Sequence, residues 1–312
     1  MAAKGRVAVA GGFGFLGSHI VTQLKQRGYE TVPFSRHNGT DIRVPGALEA
    51  FLARERPEVV INCAAHVGGI SYNAQVPVEI YEDNLSIGFN MVRGCANQRI
   101  AKLVNVMPNC TYPGIADIYR ESEWWNGEMH ETVLTYGMPR KAMWAQCWAY
   151  HQKHLLKSIH VVLPNLYGPN DHFDPIRSHA LGALIRKIVD AQRGELPTVE
   201  IWGTGSPIRE WGYVDDAAEG IVQAMESYDD LAIINLGQGE GCTIGELAEM
   251  IREAVGWQGK FVFDPTRPDG APKKILDVHK MELALAWKPS TPLRQGIRKT
   301  VEWYMQASQK HA

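Results

Sequence analysis

Val7-Ala8-Val9-Ala10-Gly11-Gly12-Phe13-Gly14-Phe15-Leu16-Gly17 is the stretch whose reading decides the fold. Four small apolar residues run into a turn with glycine at positions 11, 14 and 17, and the amphipathic stretch that follows, residues 18–27, reads as a helix closed by Gly28. Glycine also serves ordinary turns that need a positive φ. A strand before it and a helix after it favour a different role, in which the backbone approaches a pyrophosphate and the helix N-terminus supplies free N–H groups and a favourable dipole. Gly11, Gly14, Phe15, Leu16 and Gly17 are therefore the first candidate cofactor-binding residues.

Working outward, residues 31–34, 59–62, 102–106 and 159–163 read as further strands, and residues 47–54 and 136–156 as helices. Continuous apolar strands separated by helices imply a parallel sheet covered on both faces, an α/β, Rossmann-like doubly wound arrangement. Past Pro164 the pattern is richer in turns, with a helix at residues 243–255 carrying the capping pair Thr243 and Glu246, and a closing amphipathic helix at 291–305. The expected division is a dinucleotide-binding domain over 1–165 and a smaller C-terminal substrate-binding lobe over 166–312, from which some strands and helices return to the first domain.

The 312 residues, 45% of them apolar, are enough for a large core, and a formal charge of −2 with both signs interspersed gives no electrostatic reason to expect nucleic acid or a membrane surface as partner. Small molecules are the expected partners. Five cysteines, an odd number without a Cys-x-x-Cys pair, argue against a disulfide framework and a zinc site, and point to a reducing cytoplasm. Residues 1–6 lead directly into the first apolar run, which leaves no room for a secretory leader, and no apolar run is long enough to span a bilayer.

Two further stretches speak to chemistry. The end of the second strand, Phe34-Ser35-Arg36-His37, has no acid before Asp41, so Arg36 is expected to hold the 2′-phosphate of NADP(H). Tyr136-Gly137-Met138-Pro139-Arg140-Lys141 places a phenol one helical turn before a guanidinium. A phenol beside a fixed cation, downstream of a dinucleotide loop, suits proton transfer to a carbonyl oxygen as hydride arrives.

Several runs are shared with one family: Ala64-Ala65-His66-Val67-Gly68-Gly69-Ile70, Cys110-Thr111-Tyr112-Pro113, Asn165-Leu166-Tyr167-Gly168-Pro169-Asn170-Asp171, Ser178-His179, Trp202-Gly203-Thr204-Gly205, Arg209-Glu210, Tyr213-Val214-Asp215-Asp216 and Arg267-Pro268-Asp269-Gly270. On these the chain resembles the extended short-chain dehydrogenase/reductases, and within them the GDP-L-fucose synthase branch, over nearly its whole length. The resemblance implies a homodimeric, NADP-dependent enzyme that epimerises at C3 and C5 and reduces C4 of a GDP-linked 4-keto-6-deoxy sugar. It gives Tyr136 the proton-donor role, Cys110 that of epimerisation base and His179 that of acid. Arg140 stands where the family has lysine, keeping the charge but with a planar fork. Pro108 stands where the family has serine or threonine and offers no donor, so Asn109 is the candidate replacement.

The cofactor pocket implied by the same resemblance adds Arg36, Asp41, Ile42, Ala64, Ala65, His66, Arg140, Pro164, Asn165, Leu166 and His179. Substrate contacts fall on Asn165, Lys187, Trp202, Arg209 and Asp269, with cations for a diphosphate and a flat surface for a base. Trp202 reads equally well as packing between lobes. Trp124 and Trp125 are expected to border the sugar, and Trp144 and Trp148 to pack on one helix face. Two alternatives stay open: epimerisation without net reduction, because of Pro108 and Arg140, and a non-catalytic NADP-binding protein, because fold alone does not establish activity.

Overall fold

Six parallel strands lie in the order Glu30–Phe34, Arg6–Ala10, Val59–Asn62, Lys102–Pro108, Ser158–Leu163 and Ile234–Asn235 in a computed structural model that describes residues 4–174, 178–267 and 269–309. Alternation along the first strand divides the core. Val7 and Val9 face Ile20, Leu24 and Ile221, while Ala8 and Ala10 face Leu48, Met91 and Met143. Burial on both faces is why these strands read as unbroken apolar runs. The winding direction reverses between Arg6–Ala10 and Val59–Asn62, and the crevice beyond the carboxyl ends of those two strands is where ligands of such sheets bind.

The first helix is Phe15–Gln26, beginning three residues before the sequence reading placed it. The second long helix, expected over 136–156, is Leu134–Gln152; it ends where His151 and His154 form a turn, His154 with a φ of 54°. The sequence reading assigned no helix between residues 62 and 102, yet Pro77–Asn97 is one, with Pro77 in its first turn. Its outward side carries the exposed Val78, Tyr81, Leu85 and Phe89 besides a buried inner side.

A separate apolar cluster gathers Leu184, Ile185, Leu247, Ile251, Ile297 and Val301 from the helices Ala180–Arg193, Ile244–Val255 and Leu293–Gln309. Thr243 caps the second of these, its side chain accepting from the Glu246 N–H at 3.1 Å while Glu246 accepts from the Thr243 N–H at 2.8 Å. The intervening helix Val214–Ser227 lies against the large sheet through Ile221 and Val222, beside the Ile234–Asn235 strand. No helix among the described residues is long and apolar enough to cross a membrane.

Candidate active site

The glycine turn is fixed by crowding. A Cβ at Gly17 would lie 2.1 Å from the Gly11 carbonyl oxygen, one at Gly12 would lie 2.6 Å from Pro33 Cβ, and Gly11 itself has a φ of 71°. The Phe15–Gln26 helix has Gly14 at its N-cap and no side-chain cap, so its first N–H groups remain for an anion. These features fit a dinucleotide pyrophosphate.

The Lys102–Pro108 strand delivers Pro108 to the carboxyl edge of the sheet, followed by a 3₁₀ turn, Asn109–Thr111. Thr111 locks that turn by donating to the Pro108 carbonyl at 2.8 Å while accepting from the Trp124 indole at 2.8 Å. Asn109 is buried, and its Nδ2 has no hydrogen-bond partner among the described residues. Cys110 is buried too, and burial pushes its thiol up to about 11, with Lys274 and Arg140 pulling it back toward ionisation. A Cβ at Gly137 would lie 3.2 Å from the Cys110 carbonyl, so the Tyr136 turn is pressed onto this loop. Burial raises the Tyr136 phenol, opposed by the Arg140 guanidinium, whose Cζ sits 5.5 Å from the ring centroid.

Phenol, thiol, amide and cation thus converge beyond the strand ends, next to a glycine turn built for a dinucleotide. Residues 7–237 match the NAD dependent epimerase/dehydratase family. The chain belongs to that family. It is 38% identical to "Probable GDP-L-fucose synthase 1" of Oryza sativa subsp. japonica over 97% of this chain and 92% of that one. Among solved structures, it resembles a GDP-6-OMe-4-keto-L-xylo-heptose reductase from C. jejuni at a TM-score of 0.91 and 26% identity, covering 98% of this chain and 99% of the other. A GDP-L-fucose synthetase from Naegleria fowleri bound to NADP gives a TM-score of 0.89 at 25% identity, over 99% of this chain and 96% of that one.

Within this member of the family, Arg140 is buried and donates through Nη2 to the Ala64 carbonyl at 3.1 Å and to Asn84 Oδ1 at 3.0 Å. Lys141 points elsewhere, bonding the Trp124 carbonyl at 2.6 Å with its ammonium over the Trp124 and Trp125 rings, as adjacent helical positions require. His179 is the N-cap of Ala180–Arg193 and makes no capping bond; lost hydration, reinforced by His172, holds its imidazole below the usual value. The segment carrying His66 closes over this region, since a Cβ at Gly69 would lie 2.9 Å from the Ser178 carbonyl.

Just past the Glu30–Phe34 strand, Arg36 is exposed and makes no ion pair among the described residues. Asp41 is held by Arg43 at 2.6 Å, and Arg43 also reaches Asp83 at 3.0 Å, so that carboxylate is already neutralised by the protein. His66 Nδ1 lies 2.8 Å from Asp83 and Nε2 lies 2.8 Å from the Tyr72 hydroxyl. The Ile42 carbonyl accepts from Asn90, while Ala65 makes no side-chain hydrogen bond. Pro164, Asn165 and Leu166 follow the Ser158–Leu163 strand, at the same carboxyl edge as Gly11 and Asn109.

Of the residues expected to meet the substrate, Lys187, Trp202, Arg209 and Asp269 lie together. Trp202 is half-exposed, which removes the reading as packing between lobes, and is flanked by Lys187 and Arg267 at 5.3 and 5.0 Å from its ring. Asp269 bonds Thr204 through its carboxylate and Arg209 through its carbonyl. Lys274, which sequence reasoning passed over, pairs in register with Arg209 on neighbouring strands, and the two cations together with Cys110 share one electrostatic environment. Its signal was the position five residues after Asp269, legible only once the Lys273–Lys274 strand is placed beside Ile208–Arg209. Asn84 was likewise invisible without the Pro77–Asn97 helix. Trp124 and Trp125 form an edge-to-face cluster with Trp144, whereas Trp148, expected to pack with Trp144, is 49% exposed.

Proposed function

We propose that the protein is an NADP(H)-dependent enzyme acting on a GDP-linked 4-keto-6-deoxy sugar, epimerising at C3 and C5 and reducing C4. The observation that carries this reading is the buried Asn109 amide nitrogen with no partner among the described residues, one residue from Cys110, whose carbonyl lies against Gly137 of the Tyr136 turn. A buried donor left unpaired costs stability unless a ligand satisfies it. It replaces, toward the C4 oxygen, the hydroxyl that Pro108 cannot offer.

NADPH, when bound, would supply the hydride. Tyr136 gives a proton to the C4 oxygen, helped by the Arg140 charge, and Asn109 holds that oxygen. Cys110 as thiolate removes the acidic proton beside the carbonyl, and His179 returns one from the opposite side. Gly11, Gly14, Phe15, Leu16 and Gly17 hold the pyrophosphate, and Arg36 takes the 2′-phosphate. Arg209 and Lys274, with Lys187, hold the substrate diphosphate, and Trp202 offers its open face to the base. Five free thiols suit a reducing, cytoplasmic location.

Incubation with GDP-4-keto-6-deoxymannose in deuterated water, with and without NADPH, tests this. Deuterium at C3 and C5 together with NADPH consumption is the expected result; absence of both would overturn it. Deuterium alone would support the second reading, epimerisation without net reduction, for which Pro108 is the specific ground.

The exposed row Val78, Tyr81, Leu85 and Phe89 on Pro77–Asn97, beside the exposed Trp148 on Leu134–Gln152, suits a homodimer formed through these two helices. Phe89→Glu is expected to give a monomer in sedimentation; an unchanged dimer would place the interface elsewhere.

A further inference from the structure

Lys141 is 5% exposed, yet no carboxylate faces its ammonium among the described residues, and burial pulls its pKa down. The charge rests on the Trp124 carbonyl, 2.6 Å from Nζ, and on the faces of the Trp124 and Trp125 rings, whose centroids lie 4.9 and 4.5 Å away. Taking a cation out of water without a counter-charge costs stability. What the ammonium holds is Trp124. The Trp124 indole N–H donates at 2.8 Å to the Thr111 hydroxyl, which itself donates at 2.8 Å to the Pro108 carbonyl. These bonds run in series from the ammonium to the residue just before Asn109. Gly137, one helical turn before Lys141 on the same face of Leu134–Gln152, lies against the Cys110 carbonyl, where a Cβ would come within 3.2 Å. The helix that carries Tyr136 therefore meets the Asn109–Thr111 turn twice, directly at Gly137 and through Trp124 at Lys141.

We propose that Lys141 is a positioning residue for the Asn109–Thr111 turn: through Trp124 and Thr111 it fixes where Asn109 and Cys110 stand relative to Tyr136. The inference rests on the reading of Asn109, Cys110 and Tyr136 as the reacting groups given above. Arg140 and Lys141 divide the work of one helical turn. The guanidinium lies against the Tyr136 ring on the side of Ala64, and the ammonium holds the catalytic turn on the side of Trp124. An apolar side chain of similar length would fill the same space without burying a charge, but it would leave the Trp124 carbonyl without this donor and the turn tied to the helix only at Gly137.

The test uses full-length protein and reads the turn through the rate at which iodoacetamide alkylates Cys110, followed by mass spectrometry of its peptide, with Cys95 and Cys242 as internal references. Cys110 is 8% exposed, so its alkylation reports opening of the turn. Wild type, Lys141→Met, Thr111→Val and the double variant are compared, together with urea unfolding and deuterium exchange at C3 and C5 of GDP-4-keto-6-deoxymannose. Lys141→Met is expected to leave the urea midpoint unchanged or raised, because it removes a buried charge that has no counter-charge. It should nevertheless speed Cys110 alkylation roughly three- to tenfold and slow deuterium exchange by a similar factor. Thr111→Val should speed Cys110 alkylation likewise, and the double variant no more than either alone, because both substitutions cut one chain of contacts. Wild-type alkylation of Cys110 in Lys141→Met, or single effects that multiply in the double variant, would overturn the proposal. So would a lowered urea midpoint with all three cysteines alkylated faster, the mark of general loosening. Should Lys141→Met not fold, Lys141→Leu removes the same donor and charge. The alkylation needs no sugar. Faster alkylation of Cys110 in a protein that exchanges no deuterium into the GDP-keto sugar would support the positioning role while refuting the substrate reading, and wild-type exchange with unmoved alkylation in Lys141→Met would do the opposite.

Discussion

Asn109 and Cys110 share one turn but answer to different forces. The Asn109 amide is buried with no partner among the described residues, which leaves it for a ligand. Asn109→Ala should lower NADPH-dependent reduction roughly a hundredfold, as loss of a donor to a developing oxyanion does, while leaving deuterium exchange at C3 and C5 within a few-fold. Equal loss of both activities would show a general collapse of the turn. Cys110 and His179 are displaced in opposite directions: burial takes the thiol up to about 11 and holds the imidazole below its usual value. Between those limits the thiol with neutral imidazole predominates. The reactive thiolate with imidazolium carries the same number of protons, so its share does not change with pH. Exchange is therefore expected to be flat from about pH 7 to about pH 10; a tenfold rise per pH unit would mean that the thiolate works without a protonated partner. The sequence located both residues through motif position. It could not reveal that the Asn109 amide lacks a partner among the described residues, because the Asn109–Thr111 turn is covered by segments from later in the chain, Trp124 bonding Thr111 and Gly137 lying against the Cys110 carbonyl.

At the scale of elements, the strand, glycine turn and first helix were legible because their determinants are local. Glycine at 17 is required by a contact with Gly11 only six residues away, backbone against backbone, with no flexible side chain to yield. Gly17→Ala is expected to cost about 1–3 kcal/mol and to weaken NADPH at least tenfold, read by thermal unfolding and by fluorescence titration; tight NADPH binding in that variant would remove the turn from the cofactor site. The capped helix Ile244–Val255 was legible for the same reason, its cap and its box partner being three residues apart. Pro77–Asn97 was not assigned, although its buried and exposed faces are distinct. That helix then supplies Asn84 and Asp83, which hydrogen-bond Arg140 and His66. Missing one element hid two of the residues that organise the site.

At the scale of the whole molecule, His19 ties distant segments together. Its Nδ1 lies 2.5 Å from Asp215 Oδ1 and its Nε2 lies 3.1 Å from the Pro169 carbonyl. Both partners only accept, so the doubly protonated ring satisfies both, and in that form it is a cation joining the dinucleotide helix to the Gly168–Asp171 turn and to Val214–Ser227. Burial opposes that charge, but Asp215 and the Pro169 carbonyl outweigh it and the imidazole is raised above its unfolded value of 6.5. A raised value means that the stabilisation is complete below pH 6.5 and is lost as pH rises through the folded value. The difference in urea midpoint between wild type and His19→Gln should accordingly be largest at mildly acidic pH and shrink above it; a difference that grows with pH would show a neutral ring. The sequence by itself determined the parallel sheet, the dinucleotide turn, the Tyr136 helix and the family, because alternation, glycine spacing and motif order are properties of neighbouring residues. Only the tertiary structure decided that Arg140 bonds Asn84, that Lys274 stands beside Arg209 and that Trp202 is open to solvent. Each of those depends on which surfaces meet across the strand ends, and in a doubly wound fold the residues that meet there come from segments as far apart as 11, 84, 140 and 274.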